Sequence, residues 1–234
     1  MKVDIWSDTR CPFCFVGKRN FENALAQFPD TKNIEVNWHS FQLDPTIVTQ
    51  PEKDPYEFLA EIKGLSLDQI KGMHEHLIQS GKAVGIDFNF DESKVANSFR
   101  SQMLLQLAKT KGKANEMEEL LFEAQFLNGQ NVDDPSVLVE LGEKAGISKE
   151  EVLNGIESDD FKFAVNQDIQ MANNLGIRGV PFFIFNDKYA VSGAQPEALF
   201  LEVLEKSYGE FKAGDSGLKI INEGDSCDID GNCN

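Results

Sequence analysis

Four residues constrain this 234-residue chain more than any others: Cys11-Pro12-Phe13-Cys14. They stand where one periodicity gives way to another. Before them, Val3, Ile5 and Trp6 with Lys2 and Asp4 between them read as a strand that ends near Ser7-Asp8. After them, Phe15, Val16, Phe21, Leu25 and Phe28 recur at roughly helical spacing. The handover puts Cys11 at the N-cap and Pro12 at the first helical position, where its missing N–H is no loss. A thiolate at the cap is expected to accept the N–H of Phe13 or Cys14 and to feel the positive end of the helix dipole. Both effects favour the anion in a side chain that ordinarily titrates near ~8.5. Cys11, at the open end, is therefore the expected attacking sulfur. Cys14, one turn further in, is the expected resolving sulfur. Asp8 and the acidic chain oppose ionisation; Arg10, Lys18 and Arg19 favour it if they point that way.

Two blander readings compete. A zinc knuckle wants a second pair of ligands, and Cys227 and Cys233, the only other cysteines, lie over two hundred residues away. Two unconnected thiols would need no partner at all. The strand–CxxC–helix context favours redox chemistry over both, with no metal and no cofactor.

At 41% hydrophobic the chain can build a real core, yet no segment stays apolar long enough to span a membrane. The N-terminus runs straight into the first strand without a signal-peptide core, so the expected location is the cytoplasm unless a leader was trimmed. Four cysteines in a reducing compartment suit a working dithiol better than a structural framework. The formal charge of −17 leaves no basic stripe for phosphates, which argues against nucleic acid as a partner. A solvated acidic surface is enough to account for that charge.

Ile34, Val36 and Trp38 alternate with Glu35, Asn37 and His39, a second strand that completes a βαβ unit. His39 reads as a surface or hydrogen-bonded strand residue before it reads as a base. Asp54-Pro55-Tyr56-Glu57, Ser66-Leu67-Asp68-Gln69 and Ser148-Lys149-Glu150-Glu151 are capping boxes. Val84 to Phe90 reads as a short extended segment. His74 and His76 are two apart on one helix, share no face, and read as helix-surface residues. From Leu43 to Arg178 the periodicity is helical, too long a stretch for a loop, so it reads as a helical domain inserted into an α/β one. Val180 to Phe185 is then a buried strand, Asn186-Asp187-Lys188 a turn, Tyr189 to Val191 the returning strand, and Pro196 to Tyr208 a final helix. Proline at the mouth of a central strand is out of place in a ladder. A cis Val180-Pro181 bond would free the Val180 backbone to pair with a peptide beside Cys11, and the residues alone leave cis and trans open.

The order of elements, with CPFC after the first strand and Gly179-Val180-Pro181 before the third, resembles the thioredoxin fold, and the insert resembles the DsbA type. Asp8-x-x-Cys11-Pro12-Phe13-Cys14-x-x-Gly17, Phe41-Gln42-Leu43, Gly176 to Phe183 and Val191-Ser192-Gly193-Ala194-Gln195 are similar to FrnE-like dithiol oxidoreductases. The resemblance covers nearly the whole chain. It implies an α/β thioredoxin fold from 1–43 plus 179–210, an all-helical insert over 44–178 and a tail over 211–234. It implies Cys11 as nucleophile, Cys14 as resolving thiol and Pro181 as a cis-proline facing them, with Pro12, Phe13 and Val180 beside the substrate. Its partners would be protein or peptide thiols and disulfides or glutathione, with self-association as a homodimer left open. Gln102-Met103 stands where family members often carry His-Arg, which puts any role of that histidine in doubt. Related kappa-type glutathione transferases and hydroxychromene-carboxylate isomerases use serine in place of the first cysteine, so both thiols here favour disulfide chemistry. A glutathione-dependent transferase or isomerase, and a binding module, are the rival functions.

FrnE-like proteins often end in a cysteine pair similar to Cys227-Asp-Ile-Asp-Gly-Asn-Cys233. The pair reads as a second redox couple, a metal site or part of a disordered tail. Asp228, Asp230 and Asn232 resemble a calcium loop that stops before its glutamate.

Overall fold

The alternating segments become β1 (Lys2–Ser7) and β2 (Glu35–Ser40), paired in parallel from Lys2↔Glu35 to Ser7↔Ser40. The computed structural model describes residues 1–214, 219–223 and 227–228. In it, α1 (Pro12–Gln27) crosses between the two strands, completing the βαβ unit. On the other side of β1 lies β4 (Phe182–Phe185), antiparallel to it and to β5 (Tyr189–Ser192). Asn186 and Asp187 turn that hairpin with φ of 53° and 55°, the left-handed pair that a two-residue turn needs. β6 (Lys219–Glu223) adds in parallel to β5, giving the order β2-β1-β4-β5-β6. The sequence carried no signal for β6. Phe21 on α1, Phe183 on β4 and Phe200 on α9 (Glu197–Ala213) are fully buried and pack ring on ring, with 5.7 Å between Phe21 and Phe183.

Between β2 and the short β3 (Gly179–Val180) run seven helices: α2 (Pro55–Lys63), α3 (Leu67–Lys82), α4 (Phe99–Thr110), α5 (Ala114–Phe126), α6 (Pro135–Lys144), α7 (Lys149–Gly155) and α8 (Asp159–Asn174). This is a DsbA-like thioredoxin fold with a helical insertion. The boxes at Ser66 and Ser148 close reciprocally. Asp54 accepts from Tyr56 and Glu57 without a return bond. The segment around Ile86, Phe88 and Phe90 alternates buried and exposed but pairs with none of the described strands. No helix among the described residues is long and apolar enough to cross a membrane.

His74 departs from the surface reading. It lies on the buried face of α3 with Ile70 and Leu77, between the Tyr56 and Phe90 rings at 4.8 and 4.3 Å. Its i+4 spacing from Ile70 put it there, and burial pushes its pKa down to about 4, so it is neutral. His76 is exposed.

The insert grips the sheet through polar groups. Asp168 on α8 accepts from the Ser40 N–H at 2.9 Å and from Gln106 Nε2 at 2.6 Å, and pairs with His39 Nδ1 at 2.8 Å. His39 Nε2 meets Asp4 at 3.0 Å, and the ring stacks on Trp6. Burial pulls the imidazole's pKa down, but the bonds to Asp168 and Asp4 outweigh it and leave it raised. Burial works against both carboxylates as well, yet their bonds to His39 hold them below the usual range.

These directions set a pH window. The raised histidine stabilises fully below its unfolded value near ~6.5, and that contribution fades as pH climbs through the folded pKa. The lowered carboxylates contribute above ~4 and lose that contribution as pH falls through their folded values. His39→Gln should cost about 3 kcal/mol near pH ~5.5 and clearly less above pH ~8. Chemical denaturation of both proteins across this range checks it, and a constant difference would sink it.

Candidate active site

Cys11 caps α1 with Pro12 at the first helical position, and the Cys14 N–H bonds back to the Cys11 carbonyl at 3.0 Å. Asp8 fixes the approach: its carbonyl accepts the Cys11 N–H at 2.9 Å, and its carboxylate accepts from Arg10 and Leu43 N–H at 3.1 and 2.8 Å. The cysteines are free thiols, and both are buried. This differs from the expected cap geometry. Sγ of Cys11 makes no cap bond and donates instead to the Val180 carbonyl at 3.4 Å. A neutral thiol is a donor, and the helix amides offer it no acceptor. Of the residues between the thiols, Pro12 is half-buried and Phe13 turns inward.

The Val180–Pro181 bond is cis, and the Pro181 carbonyl accepts from Gly193 at 2.8 Å. Gly17 lets α1 approach this turn, since a Cβ there would stand 2.9 Å from Pro181 Cγ. The edge of β3 is occupied. β7 (Cys227–Asp228) pairs antiparallel with it, Gly179 opposite Asp228 and Val180 opposite Cys227. Cys233 lies outside the described residues, so the tail pair is only half described.

The charges around the thiols are not those anticipated. Lys18 reaches Glu22 at 2.8 Å and Glu119 at 2.5 Å, and Arg19 pairs with Glu119. Both cations are therefore committed to carboxylates. Burial pushes the Cys14 thiol well up, and the Cys11 sulfur adds to it. Burial raises Asp8 too, although Arg10 and two backbone N–H groups oppose this.

Glu118 was not singled out by the sequence. It lies on α5 beside Met117 and Leu121, fully buried, and one more glutamate in an acidic helix carries no signal. It accepts from the Ser7 hydroxyl at 2.5 Å, and its second oxygen has no partner among the described residues. Burial pushes its pKa up to about 7, against the Ser7 bond and Lys18. The Ser7 hydroxyl also acts on Cys14, favouring its ionised form against burial. A thiol, a hydroxyl and a carboxyl poised near neutrality thus form a chain that can carry a proton. Gln102 holds the same corner, donating to the Ser7 and Phe41 carbonyls at 3.1 and 3.4 Å. Among the described residues no cluster of His, Cys, Asp and Glu is arranged to hold a metal ion.

Residues 2–205 match the model of the DSBA-like thioredoxin domain family. The structure superimposes on a "probable DsbA oxidoreductase" of Streptomyces coelicolor with a TM-score of 0.84 and 34% identity, covering 100% of this chain and 98% of that one. The uncharacterized protein YwbO of Bacillus subtilis is 28% identical over 202 residues, 85% of this chain and 92% of its own. The cytosolic disulfide reductase DsbM of Pseudomonas aeruginosa, solved also with GSH, shares the fold at 16% identity and a TM-score of 0.60, covering 92% of this chain and 98% of its own.

A buried acid with a raised pKa costs stability once the unfolded chain can ionise it. For Glu118 the cost begins above ~4.5, grows as pH rises, and is complete above its folded value. Glu118→Gln should therefore match the wild type near pH ~4 and exceed it by up to about 3 kcal/mol near pH ~8.5. Thermal unfolding at the two pH values checks the sign. A variant less stable at the higher pH would show that Glu118 is held there as a favourable anion.

Proposed function

The chain belongs to the DSBA-like thioredoxin domain family, and from that premise we propose that it exchanges thiols and disulfides through Cys11 and Cys14. The Cys11 thiolate attacks a substrate disulfide, forming a mixed disulfide and expelling one substrate thiolate. Cys14 loses its proton, attacks the Cys11 sulfur and expels the second. Two electrons pass to the substrate, and the enzyme is left with a Cys11–Cys14 disulfide. Reversed, the oxidised pair takes two electrons from a substrate dithiol. The observation that carries this reading is the contact of Cys11 Sγ with the carbonyl of Val180, beside Pro181. It supports a site in which a peptide held on the Val180 backbone meets the nucleophile directly, next to Pro12.

Cys14 needs a proton acceptor because burial favours its neutral form. We assign that role to Glu118 acting through Ser7. A carboxyl near pKa 7 can take the proton in one half-cycle and return it in the other.

The motifs favour the FrnE-like branch, with residues 1–43 and 179–210 supplying the dithiol and 44–178 covering it. A reducing cytoplasm suits the free thiols, and DsbM, a cytosolic protein by its description, has this fold. Glutathione is the natural small-thiol partner under this reading, since DsbM was solved with it. Cys11→Ser should abolish disulfide reduction, read as insulin turbidity, to the background of dithiothreitol alone. Transferase or isomerase activity retained by that variant with glutathione and an aromatic substrate would overturn the proposal.

Cys227 and Cys233 are proposed as a second redox pair. The pairing of Val180 with Cys227 supports this, because it brings the tail backbone to the strand whose carbonyl holds Cys11. With both tail cysteines replaced by serine, insulin reduction should slow several-fold, and each oxidised chain should account for one fewer disulfide. Unchanged kinetics and unchanged thiol counts would rule the second pair out.

A further inference from the structure

A cavity of about 260 Å³ opens beside Pro12, between α1 and the insert. Its walls are mostly apolar: Leu43, Ile47, Leu59, Ile70, Leu77 and Phe126. That is the character of a small-molecule site and a size just below the usual range of about 300–1,000 Å³, enough for a compact ligand. An apolar cavity alone says little. The informative residue is Arg10, which lines it one position before Cys11.

Arg10 is half-buried, and among the described residues its guanidinium has no hydrogen bond and no carboxylate within ion-pair distance. The two acids that act on it, Asp8 and the cavity-lining Asp44, turn their hydrogen-bonded oxygens to other groups. Asp8 uses its oxygens on the Arg10 and Leu43 N–H groups. Asp44 turns Oδ1 back onto the Thr46 N–H and hydroxyl at 2.8 and 2.6 Å. Burial works to lower the Arg10 pKa, so the charge is held where water only partly solvates it. A guanidinium carries five donors and no acceptor, and leaving them unmet in a half-buried pocket is costly. His74 also lines the cavity but is neutral, and of the cations that line it, Arg10, Lys63 and Lys94, Arg10 is the one that adjoins Cys11.

We propose that this cavity binds a small carboxylate with an aromatic or branched apolar body, its anionic end on Arg10 and its body against α2 and α3. The apolar part leaves water for the cavity walls, and the planar guanidinium meets the carboxylate in a bidentate pair. Because Arg10 adjoins Cys11, such a ligand lies against the mouth of the dithiol site. Its binding requires no thiol chemistry and stands or falls separately from the redox reading.

The probe is 3-phenylpropionate, titrated calorimetrically into the reduced full-length protein. Saturable one-to-one binding is expected. Neutral 3-phenylpropionamide and the Arg10→Gln variant should each weaken it roughly tenfold or more, as expected for the loss of a charge-assisted pair. Acetate, which lacks the body, should not bind measurably. Leu59→Trp fills the cavity and should abolish binding. Since that change can disturb packing, a second measurement stands beside it: with methyl-labelled methionine, the ligand ring should show a nuclear Overhauser contact to Met73, which lines the cavity. No saturable binding, equal affinity for acid and amide, undiminished affinity in Arg10→Gln, or a bound ring with no contact to Met73 would each overturn the assignment.

Discussion

The arrangement depends on a polar seam at the C-terminal ends of β1 and β2. A strand that stops beneath a helical layer leaves carbonyls and N–H groups that water cannot reach. The insert answers them one by one. Gln102 donates to the Ser7 and Phe41 carbonyls, Asp168 takes the Ser40 N–H, Ser101 meets Thr9 at 2.7 Å, and Glu118 meets Ser7 at 2.5 Å. Apolar contact between a sheet and a helical layer tolerates sliding by fractions of an ångström. Directional bonds to strand ends do not, and Cys11 begins four residues after Ser7. The seam therefore fixes where α1 starts relative to Val180, and with it the distance between the sulfur and that carbonyl.

The same seam brings in groups that a purely structural joint would avoid. Glu118 has an oxygen without a partner among the described residues, and Asp8 is raised by burial despite four opposing interactions. A glutamine, as at Gln106 on Ser40, would satisfy a serine hydroxyl without the ionisation cost. Retaining an acid where an amide would serve is what a proton-transfer role predicts and a packing role does not. His39 is the opposite case. Its two carboxylate partners are lowered and its own pKa is raised, so every member of that group favours the charged form. It is an ion-paired joint between the insert and the sheet, the hydrogen-bonded strand residue its position allowed.

Much of this was legible in the sequence because it is local. The change of period at CPFC, the capping boxes, the Asn186-Asp187 turn and the helical run after Leu43 each need only a few neighbouring residues. What could not be read involves partners far apart in the chain. Ser7 and Glu118 are separated by 111 residues and His39 and Asp168 by 129, and no periodicity announces such a pair. His74 was misread because its type was weighed above its spacing from Ile70. The cap bond expected of Cys11 failed for another reason: local logic assigned the sulfur to the nearest N–H groups, whereas a carbonyl 169 residues away holds it. β6 adds to the outer edge of β5 and β7 pairs with the two residues of β3, and nothing in the composition of the tail called for either.

Val180 now has two claims on it. Its carbonyl receives the Cys11 thiol, and its strand edge is paired with β7. A strand edge accommodates one neighbour, so an extended substrate peptide and β7 cannot pair with it together. Cys11 is also fully buried, with no direct path for a bulky disulfide. Under the proposed exchange, a protein substrate pairing with that edge would have to displace β7. β3 and β7 each contribute only two residues to that pairing, which makes displacement a modest step. The arginine cavity lies on the Pro12 side of the sulfur, away from this edge, and a ligand there needs no strand to move. The β3 edge and the arginine cavity thus flank the same thiol from different sides, the one offering backbone pairing and the other an apolar wall.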